Sequence, residues 1–149
     1  MMTITESDFE QAVKKQIELL NTGLVLEALD LFFHERGKMF ENDNLFGATL
    51  KECRTKQEPY IKSAVEIKGK ITDLNILSIH NICVFRNQSC FVTSEGKKVQ
   101  IDGIHLQRWQ DGKIIAEYSA KDSFNHSSQL VTAALFHHRC PNSCARILS

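Results

Sequence analysis

The side chains best suited to acid–base chemistry in this chain of 149 residues crowd into one short stretch, Ile101 to Asp122, which reads IDGIHLQRWQDGKIIAEYSAKD. His105, Gln107, Glu117 and Ser119 stand there at positions where a plain core strand would carry Val or Leu. An imidazole can give or take a proton near neutral pH. A carboxylate placed across from it can orient the ring and favour its charged form. His105 and Glu117 are therefore candidate catalytic residues, a general acid/base couple for enolisation, isomerisation or dehydration, each of which moves a proton near a carbonyl. Gln107, Trp109 and Ser119 are candidate ligand-binding neighbours, with Trp109 and the apolar helix residues supplying a water-poor wall.

Those residues meet only if the strands carrying them pair in the right register. Gln110-Asp111-Gly112 separates two strand-like runs, and Asp-Gly between such runs is a strong hairpin signal because Gly accepts positive φ without a Cβ clash. The outgoing run is rich in β-branched and aromatic residues (Ile114, Ile115, Tyr118), which suit a pleated, half-buried surface. A two-residue type I′ loop on Asp111-Gly112 puts His105 on the face of Ala116 and Tyr118. A three-residue loop closed by Gly112 in the left-handed conformation puts His105 with Glu117 and Ser119. A one-residue slip moves every side chain to the other face, so the two registers define different sites. The favoured reading is the three-residue loop, with Gln110-Asp111 in a type I turn and Gly112 at the bulge position. One face then carries His105, Gln107, Trp109, Ile115, Glu117 and Ser119, the mixed polar and aromatic wall of a small-molecule pocket.

The run GIHLQRWQDGKIIAEYSAKD resembles the C-terminal hairpin of SnoaL-like proteins in the nuclear-transport-factor-two-like superfamily. Those chains show an apolar strand, an aromatic-x-(Asp/Asn)-Gly-Lys-Ile turn and a Glu-His-Trp-Asp-like segment. The superfamily also holds ketosteroid isomerase, scytalone dehydratase and limonene epoxide hydrolase, besides many members of no known activity. The resemblance covers residues 5 to about 125 by order and spacing of elements. It implies an α+β cone, a strongly curved mixed or antiparallel β-sheet wrapped around N-terminal helices, with a pocket between them. It also implies a homodimer formed through the sheet, which Arg108 and Tyr118 would face.

What the resemblance says about chemistry is divided. His105 matches a histidine of SnoaL-like cyclases. The acid/base Asp of those enzymes falls on Ser119 here, and the histidine of the Glu-His-Trp-Asp-like segment falls on Glu117. A serine hydroxyl does not replace a carboxylate in proton transfer at neutral pH, so the cyclase mechanism does not carry over. In ketosteroid isomerases a carboxylate near the first strand is the general base, and Glu41 and Asp43 are the candidates in this chain, Glu41 also as a ligand-binding residue. The functional expectation is a pocket that binds a small hydrophobic molecule; the alternative is an isomerase-, dehydratase- or cyclase-like enzyme built on His105 and Glu117.

The supporting elements follow in chain order. Thr5-Glu6-Ser7-Asp8 offers a helix cap, and Phe9, Ala12, Val13, Ile17 and Leu20 share one face of the helix that follows. Asn21-Thr22-Gly23 stops it, with Gly23 as a left-handed terminator. Leu24 to Phe33 forms a second helix with Leu26, Leu29 and Phe33 inward and His34 at its end. Gly37 to Glu41 runs as a short strand into the polar loop 42–44. Thr49 to Ala64 is helical in pattern but interrupted by Pro59, which ends one segment or starts the next; Leu50, Cys53, Tyr60, Ile61 and Ala64 point inward. Val65 to Asn81 is a long strand bent near Gly69 or Asp73-Leu74, and Ile82 to Thr93 is another with a bulge or tight turn at Asn87-Gln88-Ser89. Ser94-Glu95-Gly96-Lys97 closes a hairpin. Helices first and then a strand meander indicate an α+β domain with the helices on one face of the sheet.

Composition narrows the function classes. Eighteen basic and 18 acidic residues cancel, which argues against nucleic acid and anionic membranes as partners. No apolar run approaches the ~18 residues of a membrane span. The first residues, MMTITESDFEQ, lack the pattern of a signal peptide, and five cysteines make an odd number, so free thiols in a soluble cytoplasmic protein are expected. Residues 1–128 form the cone domain and 129–149 a partly helical or disordered tail. The tail carries His137, His138, Cys140 and Cys144, ligand types that zinc selects, but adjacent histidines do not readily face one metal. The expectation is no metal and no cofactor.

Overall fold

The computed structural model describes residues 5–121. Helix α1 (Glu6–Asn21) begins at a reciprocal capping box, in which the Thr5 hydroxyl accepts from the Asp8 N–H and the Asp8 carboxylate accepts from the Thr5 N–H. Two orphan helix donors are thereby satisfied. Thr22 caps its end and Gly23 turns the chain with φ 79°. Helix α2 (Val25–Phe32) is short, and strand β1 (Phe33–Glu41) follows without a loop, so Phe33 starts a strand and His34 lies within it rather than at the end of a helix. Asn42 and Asp43, both at positive φ, make the tight turn into β2 (Asn44–Gly47).

Helix α3 (Leu50–Ser63) starts at Thr49, whose hydroxyl accepts from the Glu52 N–H, and continues through Pro59. The expected break does not occur. Proline removes only the bond to the carbonyl four residues back, here that of Thr55, an exposed residue. Tyr60, expected inward, is 71% exposed at the helix's outer end.

The expected long strand 65–81 is two strands in two sheets. β3 (Ala64–Lys68) and β4 (Ile71–Leu77) are separated at Gly69. A Cβ on Gly69 would lie 2.0 Å from the Leu20 carbonyl oxygen, so only glycine lets the chain pass against the end of α1. Asn21 locks this crossing by accepting the Ile71 N–H at 2.8 Å. The next run divides in the same way, into β5 (Ile82–Asn87) and β6 (Cys90–Thr93), with the switch at Gln88-Ser89. Then come β7 (Lys98–Gln100), β8 (Gly103–Gln110) and β9 (Lys113–Lys121).

The larger sheet has six strands in the order β2-β1-β9-β8-β5-β4, mixed because β1 runs parallel to β9. The smaller sheet is β3-β6-β7. The main core lies between the larger sheet and the helices, where Phe9, Val13 and Ile17 of α1 pack with Phe33, Phe85, Trp109 and Ile114. Burying each of the larger side chains contributes about 1.5–3 kcal/mol. Trp109 meets Phe9 edge-on at 5.8 Å between ring centroids. The alternate residues of the same strands, Ile82, Leu106, Ala116 and Tyr118, form a second cluster on the other face of the sheet, where Tyr118 stacks on Phe40. This α+β arrangement of helices against a mixed sheet is the expected fold class. Among the described residues no helix is long and apolar enough to cross a membrane. The tail 129–149, with His137, His138, Cys140 and Cys144, lies outside the described residues, as does Asp122.

Candidate functional site

The hairpin that carries the site reaches the expected pairing by an unexpected route. Asp111 (φ 51°) and Gly112 (φ 78°) both have positive φ, and Gln110 pairs directly with Lys113. That is the signature of a two-residue type I′ loop, so the three-residue loop with Gly112 at a bulge position is not formed. The register nevertheless shifts by one residue further along, between Arg108 and Trp109: Trp109 pairs with Ile114, whereas Arg108 pairs with Ala116. Ile115 is the extra residue of a β-bulge. Beyond it Gln107 faces Glu117 and His105 faces Ser119. His105, Gln107, Glu117 and Ser119 thus share one face, whereas Ile114 and not Ile115 stands beside Trp109 on it.

On that face the polar groups are bonded to one another. His105 Nδ1 lies 3.1 Å from Glu117 Oε1. Gln107 Nε2 donates to Glu117 Oε2 at 2.6 Å and to Gln16 Oε1 at 2.7 Å. Gln107 Oε1 accepts from Gln16 Nε2 at 2.8 Å, from the Trp109 indole Nε1–H at 3.2 Å and from the Cys83 thiol at 3.3 Å. Gln16 and Gln107 are almost wholly buried, at 3% and 1% exposure, so this bonding removes a desolvation cost of about 1–3 kcal/mol for each group otherwise left unpaired. Burial pushes the Cys83 thiol up to about 12. It also pushes Cys53 up to about 11, and the nearby Glu117 charge acts in the same direction. The His105 ring lies flat against Phe85, with centroids 5.2 Å apart.

A cavity of about 560 Å³ opens in front of this network. His105, Glu117, Ser119 and Glu41 line it, together with Gln16, Leu29, Phe33, Met39, Phe46, Phe85 and Ile114. Glu41 is exposed at the end of β1, in register with Ser119 on β9, and the Ser119 hydroxyl lies 3.4 Å from the Phe40 carbonyl. Asp43 sits in the β1–β2 turn and does not line the cavity. Two sequence candidates fall elsewhere than expected. Gln107 lies behind His105 and Glu117, and Trp109 is a core residue between Phe9 and Phe32, so neither forms the cavity wall. The pleat explains why: the strand's inward face runs from the cavity at His105 into the packed helix interface at Trp109. At the rim, the Arg86 guanidinium pairs with both oxygens of Asp102 and holds its carboxyl below the usual carboxylate range.

The residue that sequence reasoning missed is Gln16. Its signal was present, because position 16 falls four residues after Ala12 and three after Val13, on the apolar face of α1. A glutamine on such a face needs a buried partner, but nothing local names Gln107, 91 residues away. Asp102, Asn87 and the α3 residues Lys56 and Gln57 also line the cavity and were not singled out. Among the described residues no group of three or more His, Cys, Asp or Glu side chains is arranged to hold a metal ion.

No protein-family model matches the chain, and no curated protein sequence matches it. Solved structures do match. A protein assigned as a SnoaL-like polyketide cyclase from Mesorhizobium loti superposes with a TM-score of 0.61 at 18% identity, over 79% of this chain and 98% of its own. A nuclear-transport-factor-two-like protein of unknown function from Burkholderia pseudomallei K96243 gives 0.61 at 10% identity, over 83% and 95%. A protein assigned as a hydroxylase from Streptomyces galilaeus gives 0.63 at 10% identity, over 86% and 98%. The chain therefore has the fold of the SnoaL-like and nuclear-transport-factor-two-like proteins. Those neighbours carry different functional labels, so the likeness speaks for the fold and leaves the chemistry to the site.

Proposed function

We propose that the protein binds a small, largely hydrophobic molecule in the cavity, with the His105–Glu117 pair as its polar contact and Glu41 and Ser119 beside it. The observation that carries this reading is the contrast between the two sides of the pair. Behind it every polar group is bonded, whereas in front the ring borders a 560 Å³ cavity with mostly apolar walls. Ligand sites characteristically combine such a volume with a few placed polar groups. Gln107 and Trp109 act on the ligand only indirectly, by holding the pair.

A proton-transfer enzyme of isomerase, dehydratase or cyclase type is the second reading, supported by the 3.1 Å His105–Glu117 contact. His105 would move the proton and Glu117 would orient the ring and stabilise its charged form. By the resemblance Ser119 falls at the place of the cyclase acid/base Asp, so on this hairpin the transfer would rest on His105 and Glu117. Assembly as a homodimer through the outer face of the sheet, near Arg108, is part of the same proposal.

Native mass spectrometry of the purified protein, beside thermal melting of wild type and His105→Ala, tests the main reading. A co-purifying small molecule present in wild type and lost in a folded His105→Ala variant is the expected result. A variant that only melts lower, with unchanged pocket contents, would reduce the pair to a satisfied core contact.

A further inference from the structure

We infer that His105 is held as a hydrogen-bond acceptor toward the cavity, so that the molecule bound there presents a donor to it: a phenol, an enol or another hydroxyl. This rests on the ligand-binding reading above and names the ligand's chemical class.

The polarity originates at Trp109, whose indole N–H can only donate. It points at the Gln107 side chain at 3.2 Å, so the atom it meets is the carbonyl oxygen and not the NH2 group. Cys83 agrees, because its buried thiol keeps its proton and donates to the same oxygen. With Oε1 so placed, Gln107 Nε2 faces Glu117 Oε2 at 2.6 Å, and an amide NH2 can only donate. The Gln16 amide completes a reciprocal pair with Gln107 and resists its rotation. Glu117 therefore accepts at Oε2, and as a carboxylate it accepts at Oε1 as well, where His105 Nδ1 is the group within reach. Whenever the ring is neutral, Nδ1 therefore carries its hydrogen and Nε2 its lone pair, whereas an imidazolium would carry a hydrogen on both nitrogens. Among the described residues no hydrogen bond engages Nε2, although the ring lines the cavity. Stacking on Phe85, with 5° between the planes, holds the ring plane. A ligand hydroxyl satisfies that lone pair; an ether or a bare ketone oxygen does not.

Glu117→Gln inverts this chain of constraints with almost no change in shape. Gln107 still presents its NH2, so the new amide must turn its oxygen to Gln107 and its NH2 to His105 Nδ1. The ring then carries its hydrogen on Nε2 and becomes a donor to the cavity. The full chain, labelled with nitrogen-15, reports the His105 tautomer by imidazole NMR without any ligand, with His105→Gln providing the assignment. Calorimetric titration with 2-naphthol and with 2-methoxynaphthalene reports ligand preference. The inference expects Nδ1–H in wild type, Nε2–H in Glu117→Gln, and naphthol binding about three- to tenfold tighter than the ether in wild type only. Nε2–H in wild type, an unchanged tautomer in Glu117→Gln, or equal binding of the two probes by wild type each overturns it while leaving the pocket reading in place. Binding of neither probe overturns the pocket reading and the ligand class together, whatever the tautomer.

Discussion

Replacing Gln107 by leucine removes a side chain that serves four partners at once. Gln16 loses both halves of its reciprocal bond, the Trp109 indole and the Cys83 thiol lose their acceptor, and Glu117 Oε2 loses its donor. The thiol is a weak donor and contributes little. The Gln16 amide and the indole are buried, so each unpaired group costs about 1–3 kcal/mol. Glu117 borders the cavity and recovers part of its hydration there. The sum is about 3–5 kcal/mol, which for a domain of this size lowers the melting temperature by roughly 10–20 °C. Gln16→Leu has a smaller effect, about 1–2 kcal/mol, because Gln107 keeps Glu117, Trp109 and Cys83 as partners. The double variant distinguishes a hub from a sum of contacts. Once Gln107 is gone, removing Gln16 also removes an orphaned amide, so the pair should cost no more than Gln107→Leu alone. Urea unfolding of the three variants measures all three values. Additive costs, or a Gln16→Leu as severe as Gln107→Leu, would refute the view of Gln107 as the hub.

Alkaline pH should weaken the fold through the two buried thiols. Their values are raised from the ordinary 9.0 to about 11 at Cys53 and about 12 at Cys83, so between pH 9 and 11 the folded chain holds protons that the unfolded chain releases. Stability is complete below 9 and falls as pH rises through that window; a Cys53→Ala, Cys83→Ala chain should show a flatter decline, and parallel curves would contradict the assignment. For the proposed homodimer, sedimentation at micromolar concentration should give twice the chain mass, and a monomer would remove that part of the proposal.

Much of the molecule follows from short-range chemistry that the sequence carries on its own. The Thr5–Asp8 capping box, the stop at Gly23 and the hairpin at Asp111-Gly112 depend on the φ preferences and side-chain oxygens of a few adjacent residues, and each forms where those residues stand. The resemblance carried by the hairpin residues led to the fold that the solved neighbours share. Register was decided elsewhere. Taken alone, the type I′ loop would have set His105 beside Tyr118; the bulge at Ile115 restored the pairing with Ser119, and with it the approach to Glu117. That bulge lets Ile114 enter the core beside Trp109 while Glu117 still faces the cavity, a compromise between packing and polarity that exists only once helices lie on the sheet. Gly69 reads locally as a bend, but its need for no side chain comes from the carbonyl of Leu20. Gln16 reads locally as an oddity on an apolar face, and its meaning comes from Gln107 across 91 residues of chain. Backbone conformation is selected by near neighbours, whereas hydrogen-bond partners for buried groups are supplied by whatever the fold brings within 3 Å.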